Sequence, residues 1–449
     1  MALPFLADEF NTDPSVIVWI SISFLLSSIG IMLTLGTLGD TLGRKKVFLT
    51  GFLVFGLGLT LAPLSRTLTT LFFSRAVQGI GQAMIVSNGN ALVVESFPAN
   101  KRGQALGIEN AVVGIGLAGG PSLGGFLLDQ WGWQSLFYSR IPFMIIFFIL
   151  GVMFLKSDNT ENQSLKFDLW GAVTLFITVS CFLLSITLGR NFGWASLQTI
   201  TPAILAPIFF ILFVVSESKA KYPVLELSLF KSRLFTSANI ANSLQFLSQG
   251  AIVILLPFFL FDARNLSTRN AGLILGTLPI VRLVVGPFAG WASDKIESRK
   301  ITSTGLLIMT IAYLFFRNVD IYTPIALLVT ILMVEGIGTS IFGPSNNSSI
   351  MGSVPRKSLG TASGMIATVR QVSMATGIAI SGTFYSIFQE TKYSELLSNG
   401  GDSNLSFQIA SSHGFQQVLS IMVVTLILAL LVSLFRGPDT SEVPIRKNK

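Results

Sequence analysis

Residues 36–46 form the sequence GTLGDTLGRKK, and residues 290–300 form the related sequence GWASDKIESRK. Each stretch follows an apolar run and places an aspartate, Asp40 or Asp294, four residues after a glycine, with basic residues behind it. Transporters are often built from internal repeats that survive as weak sequence symmetry of this kind. The pair therefore predicts two homologous halves, each with the same short loop after a membrane helix.

The composition supports an all-α polytopic membrane protein. Of the 449 residues, 51% are hydrophobic and only 12% are charged, with a mean hydropathy of +0.69. Soluble domains carry about 25% charged residues, because polar groups must cover much of their surface. An ordinary cytosolic enzyme, a disordered chain and a collagen-like fibre are therefore excluded.

Thirteen apolar stretches are long enough to cross a bilayer, which requires about 20 residues of helix. Their apolar residues follow one another without strict alternation, so the spans are predicted to be helices rather than strands. The predicted spans are residues 15–38, 47–64, 68–96, 102–128, 133–155, 167–188, 197–217, 234–261, 268–292, 301–317, 322–349, 358–388 and 414–435.

The basic residues lie mostly on one side of these spans. Loops after alternate spans, together with the C-terminal tail, hold 20 of the 30 lysines and arginines, and the opposite side holds six. Because Lys and Arg concentrate in cytoplasmic loops, the richer side and the C-terminus are predicted to be cytoplasmic. The same rule accounts for the net charge of +8 without nucleic acid as a partner.

The positions of the repeated loops divide the chain into four parts. Two spans and a polar linker between the homologous halves are interpreted as an insert. The predicted parts are an N-terminal helical bundle at 1–155, the insert at 156–233, a C-terminal helical bundle at 234–435 and a cytoplasmic tail at 436–449.

Four segments resemble motifs of the major facilitator superfamily, and within it the fourteen-helix drug:proton antiporters. Residues 36–46 resemble the signature loop between its second and third helices, and residues 71–83 resemble its fourth-helix motif with an embedded arginine. Residues 114–125 are similar to its glycine-rich antiporter motif, and residues 360–379 are similar to its penultimate helix. The resemblance implies two pseudo-symmetric bundles with two extra helices between them, in a monomer of the cytoplasmic membrane.

Two positions depart from the family pattern. Family members carry an acidic first helix that ends in Ala-Leu-Pro, and this chain begins Met1-Ala2-Leu3-Pro4. The first helix and its carboxylate are therefore expected to be missing, which leaves 13 spans. In the sixth-helix region, Arg140 stands where the family usually has asparagine.

The repeated loops are candidates for a cytoplasmic gate. Glycines permit tight turns and close helix approach, and an aspartate there can pair with a basic residue or cap a neighbouring helix. Such a contact would hold the gate shut and break during transport, whereas the alternative is a loop that only sets topology. The candidate gate residues are Gly36, Asp40, Gly43, Arg44, Gly290 and Asp294.

The segment 114–125 holds six glycines and a proline in twelve residues. Because each glycine costs an isolated helix about 1 kcal/mol, close packing against other helices is expected to compensate. The resemblance implies a kinked helix that supports antiport, and plain small-residue packing is the alternative. The residues assigned to this motif are Gly116, Gly120, Pro121 and Gly124.

Polar and charged residues inside the spans are candidates for a substrate cavity or a proton path. Charges within a bilayer usually face a cavity or a partner. Glu335 is expected to pair with Arg370 or Arg282, and a structural ion pair is the alternative to a proton relay there. The full candidate set is Arg75, Gln78, Gln82, Glu109, Asn110, Asn242, Gln245, Gln249, Glu335 and Arg370.

These features favour a secondary transporter that exports hydrophobic or cationic compounds against protons, by alternating access between two bundles. The chain holds no nucleotide-binding Gly-x-x-x-x-Gly-Lys-Ser/Thr sequence, one cysteine and one histidine, so neither ATP, a cofactor, a metal nor an enzymatic reaction is expected. The proton gradient is the expected energy source. Two alternatives stay open: a metabolite uptake permease, and a truncated membrane protein that does not transport.

Overall fold

A computed structural model describes residues 6, 10, 12, 19–156 and 168–436 of the chain. The predicted start at residues 2–4 and nearly all of the predicted tail at 436–449 lie outside the described residues. In chain order the helices are α1 Trp19–Leu42, α2 Arg44–Leu61, α3 Leu68–Ser96, α4 Arg102–Trp131, α5 Ser135–Tyr138, α6 Ile141–Phe154, α7 Leu169–Phe192, α8 Leu197–Lys219, α9 Arg233–Phe258, α10 Thr268–Leu275, α11 Thr277–Ser293, α12 Ser298–Phe316, α13 Ile325–Gly352, α14 Leu359–Ser398 and α15 Ser403–Leu434.

The prediction of an all-helical chain is confirmed, since the part that the structure describes contains no strand. Each predicted span contains one helix or two successive helices. Eight helical segments among the described residues are long and apolar enough to cross a membrane by length and composition. These are Trp19–Leu42, Ser135–Phe154, Leu169–Gly189, Leu197–Lys219, Arg233–Ala263, Asn270–Ser293, Ile325–Gly352 and Ser403–Leu434.

The remaining long helices are α2, α3, α4, α12 and α14. They carry the charged motif residues Arg44, Arg75, Glu109 and Arg370. Glu335 and Arg282 lie on two of the eight apolar segments, so charged residues occur in both groups of helices.

Local sequence explains where several helices begin, end or distort. Gly43 separates α1 from α2 with a φ of 103°, a conformation that favours glycine. Pro257 cannot donate a backbone hydrogen bond, and directly after it the end of α9 widens into a π-helical turn at Phe259–Ala263. Asp402 begins α15 by accepting hydrogen bonds from the backbone N–H groups of Asn404 and Leu405.

The region between the last two helices differs from the sequence-based expectation. Hydropathy predicts a loop between the spans that end at 388 and begin at 414, but α14 continues to Ser398 and α15 already begins at Ser403. Polar residues beyond the bilayer need not leave the helix, because a helix satisfies its own backbone groups in water as well as in lipid. His413 consequently lies within α15 rather than in a loop.

The helices gather into two compact units whose segments alternate along the chain. The first unit comprises residues 1–96, 117–227 and 355–372, and the second comprises 97–116, 228–354 and 373–449. The predicted boundaries at 155 and 233 come from the sequence repeat, whereas the compact units are defined by contacts between residues. The division at 155 and 233 therefore stays a prediction. The two spans of the predicted insert, α7 and α8, pack together within the first unit, where α7 also packs against α1.

Each unit has its own apolar core. In the first unit Leu59, Leu71 and Phe137 are buried together beside Trp133. In the second unit the core centres on aromatic rings, with Phe259 stacked on Phe415 at a centroid distance of 4.6 Å and Phe316 meeting the same ring edge-on at 6.3 Å. Offset and edge-on ring pairs of this kind stabilise a core beyond their buried area.

Candidate functional site

Asp40, near the end of α1, receives the N-terminal end of α14. One carboxylate oxygen accepts the backbone N–H of Gly360 at 2.7 Å, and the other accepts the backbone N–H of Thr361 at 2.8 Å. The first N–H groups of a helix have no partner within the helix and carry its positive dipole end, so a carboxylate there is doubly favourable. We call this contact the first junction.

Arg44 completes the first junction beside Asp40. Its guanidinium donates to Asp40 at 2.7 Å, to Glu95 at 2.9 Å and to the backbone carbonyl of Arg356 at 2.5 Å. Arg44 is only 8% exposed, so these acceptors replace the water that the charge would otherwise bind. The left-handed turn at Gly43 places Arg44 one helical turn behind Asp40.

Asp294 makes the corresponding contact in the second unit. At the end of α11 its two carboxylate oxygens accept the backbone N–H groups of Gly103 at 2.7 Å and Gln104 at 3.0 Å, in the first turn of α4. The neighbouring Lys295 lies over the ring of Trp291, with its ammonium 4.0 Å from the ring centroid. We call this contact the second junction. Both copies of the repeated loop thus cap a helix.

Close contacts between glycines bring the helices of each junction together. A Cβ atom on Gly36 would collide with the carbonyl oxygen of Gly360, and one on Gly290 would collide with that of Gly103. A Cβ on Gly107 would lie 2.5 Å from the carbonyl oxygen of Gly286. The sequence motifs predicted a role for Gly36 and Gly290 but did not identify their partners, Gly360 and Gly103.

A signal for the missed glycines is present in the sequence. Gly103 and Gly107, Gly286 and Gly290, and Gly360 and Gly364 each stand four residues apart. This spacing places two small residues on one helix face and is a common feature of closely packed membrane helices.

The glycine-rich motif of residues 114–125 is placed differently from the junction glycines. A Cβ on Gly116 or Gly120 would meet no described atom within 4 Å, and one on Gly124 would meet only Leu136 at 3.7 Å. The close packing expected at these positions is therefore not seen among the described residues. The side chain of Pro121 lies outside what the structure describes.

Arg75 lies in the first unit among aromatic rings and amides. Its guanidinium stands 4.4 Å from the ring centroid of Phe24 and donates to the side chain of Gln78 at 2.5 Å. Gln78 is fully buried and donates to the backbone carbonyl of Gly58 at 2.9 Å, so it joins α3 to α2. Gln82 accepts from Ser28 on α1. The three candidate residues of α3, Arg75, Gln78 and Gln82, therefore connect α1, α2 and α3 within the first unit.

The second polar stripe runs along α9. Asn242, Gln245 and Gln249 are all buried, with exposures of 1%, 1% and 7%. The side-chain amide of Gln245 donates to the side-chain carbonyl of Gln249 at 3.1 Å. Near them, Asn346 of α13 donates to the backbone carbonyl of Ala238. The Gln245–Gln249 bond lies within α9, and the bond from Asn346 joins α9 to α13 within the second unit.

Glu335 is completely buried in α13. Thr339 donates to one of its carboxylate oxygens at 2.8 Å, and the charge of Arg282 on α11 acts on the same carboxyl. Arg282 is one of the two partners that the sequence suggested. The ring of Tyr313 is near both charges and donates its hydroxyl to the backbone carbonyl of Ser248 at 2.7 Å.

The remaining candidates are less buried. Glu109, Asn110 and Arg370 are half-buried, and Asn110 donates to the backbone carbonyl of Leu106 in its own helix at 2.9 Å. Among the described residues there is no group of three or more His, Cys, Asp or Glu side chains that could hold a metal ion.

Comparison with known proteins identifies the family to which this architecture corresponds. The family model described as Major Facilitator Superfamily matches residues 1–230 and 238–449. The riboflavin transporter RibZ of Clostridioides difficile is 33% identical over 96% of this chain and 92% of its own length. Multidrug resistance protein 3 of Bacillus subtilis is 29% identical over 81% of this chain and 71% of its own length, and the multidrug resistance protein Stp of Mycobacterium tuberculosis is 28% identical over 85% and 71%.

Solved structures agree with this fold. The human organic anion transporter MFSD10 superposes with a TM-score of 0.61 at 16% identity, over 95% of this chain and 88% of that one. The proton:xylose symporter XylE superposes with a TM-score of 0.61 at 15% identity, over 98% and 92%.

Proposed function

Because the chain belongs to the Major Facilitator Superfamily and is a multi-pass membrane transporter of that family, we propose that it exports hydrophobic or cationic compounds by secondary active transport. The proposed energy source is the proton gradient, and the proposed location is the cytoplasmic membrane. The small-molecule substrate would be moved by a monomer through alternating access.

The observation that carries this proposal is the pair of junctions built on the repeated loop. Each uses hydrogen bonds to helix-end N–H groups, which water can replace when the contact opens. Contacts of this type are strong enough to hold a closed state and still reversible, as a gate requires.

The direction of transport is supported by relatives. Several similar proteins are named multidrug resistance proteins, and the segment 114–125 resembles the antiporter motif. A second candidate function is transport of a neutral, planar metabolite. It is favoured by the 33% identity to a riboflavin transporter and by the amide stripe on α9, which offers hydrogen bonds without net charge.

Transport by purified protein in liposomes separates these functions. A fluorescent cationic dye and riboflavin are loaded in turn, with and without an imposed pH gradient. Export against protons predicts dye movement that a proton ionophore abolishes. Movement of riboflavin alone would favour the second candidate, and dye transport that does not respond to the pH gradient would contradict proton coupling.

A further inference from the structure

The short segment 220–226, which follows α8, is held in place by a buried carboxylate. Glu217 lies in the last turn of α8 and is 4% exposed. Its two carboxylate oxygens accept the backbone N–H groups of Val224 at 3.3 Å and of Leu225 at 3.0 Å. The segment therefore folds back on the helix from which it emerges.

No lysine or arginine within the described ranges forms an ion pair with Glu217. Its carboxyl oxygens accept instead from two consecutive N–H groups of the returning segment, and a second carboxyl, that of Asp168 at the start of α7, lies near it. Burying a carboxyl group is costly unless hydrogen bonds compensate. The two hydrogen bonds therefore fix the conformation of Val224 and Leu225.

The fixed segment meets α1 next to the first junction. The backbone carbonyl of Val224 accepts the hydroxyl of Thr37 at 2.7 Å. The same hydroxyl lies 3.1 Å from that of Thr361, whose backbone N–H is bound by Asp40. A threonine hydroxyl has one hydrogen, and the shortest contact assigns it to Val224. The hydroxyl of Thr361 in turn has two acceptors at 3.1 Å, the Thr37 hydroxyl and the Asp40 carboxylate, so Thr37 meets the first junction directly beside the group that caps α14.

We propose that residues 220–226 form a strap that stabilises the first junction, with Glu217 as its positioning residue. The connection runs from Glu217 through the backbone of Val224 to Thr37, and from there to Thr361 at the start of α14. This gives the helix pair α7–α8 a role in gating, because the strap leads out of α8. The inference rests on the proposed function, in which the first junction opens and closes.

An exposed ion pair provides an internal comparison. Glu226, in the same segment, lies 3.7 Å from Lys357, and their side chains are 36% and 75% exposed. Exposed pairs of this kind contribute little to stability. The strap therefore depends on the buried carboxylate and on the Thr37 hydroxyl, and Glu226 serves as a control.

The test measures how often the junction opens, independently of transport. Cys181 is replaced by serine, and the fully buried Ser363 of α14 is replaced by cysteine. The labelling rate of this cysteine by a small maleimide in reconstituted full-length protein follows the population of the open junction. Glu217→Gln places an amide NH₂ against one of the two N–H groups, and we expect labelling to accelerate about tenfold.

Two further variants keep the proposal testable if Glu217→Gln folds poorly. Thr37→Val removes only the hydroxyl, and labelling should accelerate about threefold or more. Thr41→Val is its matched control on the same helix, because the Thr41 hydroxyl donates to the backbone carbonyl of Leu38 within α1. Labelling at the wild-type rate is expected in Thr41→Val and in Glu226→Gln.

The double variant Glu217→Gln, Thr37→Val should accelerate labelling by less than the product of the single effects, because both act through Val224. Unchanged labelling in folded Glu217→Gln or Thr37→Val would overturn the strap. It would also be overturned if the effect of the double variant equalled the product of the two single effects. A failure of the proposed function would look different: labelling would respond as expected while no compound was transported.

Discussion

Asp40 and Asp294 occupy the same position in the repeated loop, but their surroundings differ. Asp40 both caps α14 and balances the buried guanidinium of Arg44, whereas the hydrogen bonds that the structure gives for Asp294 all go to the start of α4. The sequence predicted that each aspartate would pair with a base or cap a helix. It could not identify the capped helix, because Gly360 lies 320 residues from Asp40 along the chain.

This difference predicts unequal effects of neutralising the two residues. Asn keeps one acceptor oxygen, so each variant loses one charge-assisted hydrogen bond to a helix end, worth about 1.5–3 kcal/mol. Asp40→Asn also leaves Arg44 buried with only Glu95 as an acidic partner among the described residues. We expect transport to fall at least about tenfold in Asp40→Asn and less in Asp294→Asn. The measurement is the transport rate divided by the amount of folded protein, which is taken from size-exclusion profiles. Wild-type transport rates in both variants would contradict a gate role for the two aspartates.

Glu335 and Glu109 both lie within predicted spans, and we expect their neutralisation to have different effects. Glu335→Gln removes the charge from a completely buried carboxyl that accepts the Thr339 hydroxyl and feels the charge of Arg282, so folded yield should drop. Glu109 is half-buried, so Glu109→Gln should fold normally, and we expect it to uncouple proton flux from export.

Liposomes containing a pH-sensitive dye test this pair of glutamates. Thr339→Val is the control, because it removes a hydrogen bond to Glu335 without changing charge and should cost only about 1 kcal/mol. Normal substrate-driven proton flux in Glu109→Gln would contradict its assignment as the proton carrier.

At the scale of helices, glycines have two distinct environments within one element. In α4, Gly107 lies against Gly286 of α11, while a Cβ on Gly120, thirteen residues further on, would have no described atom within 4 Å. The resemblance drew attention to the second group, and the four-residue spacing of small residues is present in both groups, at Gly103 and Gly107 and again at Gly116, Gly120 and Gly124. Sequence alone could not distinguish packing glycines from open ones, because both patterns are equally rich in glycine.

This contrast predicts that Gly107→Val and Gly120→Val behave differently. A side chain at Gly107 would meet a backbone carbonyl that cannot move aside, so folded yield and transport should both fall. At Gly120 the folded yield should stay within about twofold of wild type, since surface changes usually alter stability by less than about 0.5 kcal/mol. Thermal stability in detergent and transport rate are measured together. A folded Gly120→Val that does not transport would assign the antiporter motif to the transport cycle.

The helices were largely predictable, because long apolar runs without strict alternation have few alternatives in a membrane. The expected loop at 389–413 was wrong, since hydropathy detects the bilayer and not the end of a helix. Thr37, Glu217 and Val224 were not identified at all. Their contacts join segments far apart in the chain, and a single threonine or a backbone carbonyl leaves no recognisable pattern in a sequence.

At the scale of the whole chain, the repeated loops of the sequence correspond to the two compact units of the structure. The repeated loops predict homologous halves in the sequence, while the compact units combine segments from different parts of it. Each unit contains one junction, with Asp40 in the first and Asp294 in the second. The sequence repeat is thus preserved as one junction per unit, even though neither unit is a continuous half of the chain.

The positive-inside rule makes the final prediction, which concerns orientation. With 20 of the 30 basic residues on one side, the loops that contain the repeated motif should face the cytoplasm. In a Cys181→Ser background, single cysteines are introduced at Ser218, at the end of α8, and at Ser403, at the start of α15; both positions are exposed. A membrane-impermeant maleimide added to intact cells should label Ser403→Cys, and Ser218→Cys should react only after the membrane is opened. Labelling of Ser218→Cys from outside, with Ser403→Cys protected, would reverse the topology and place both junctions on the external side.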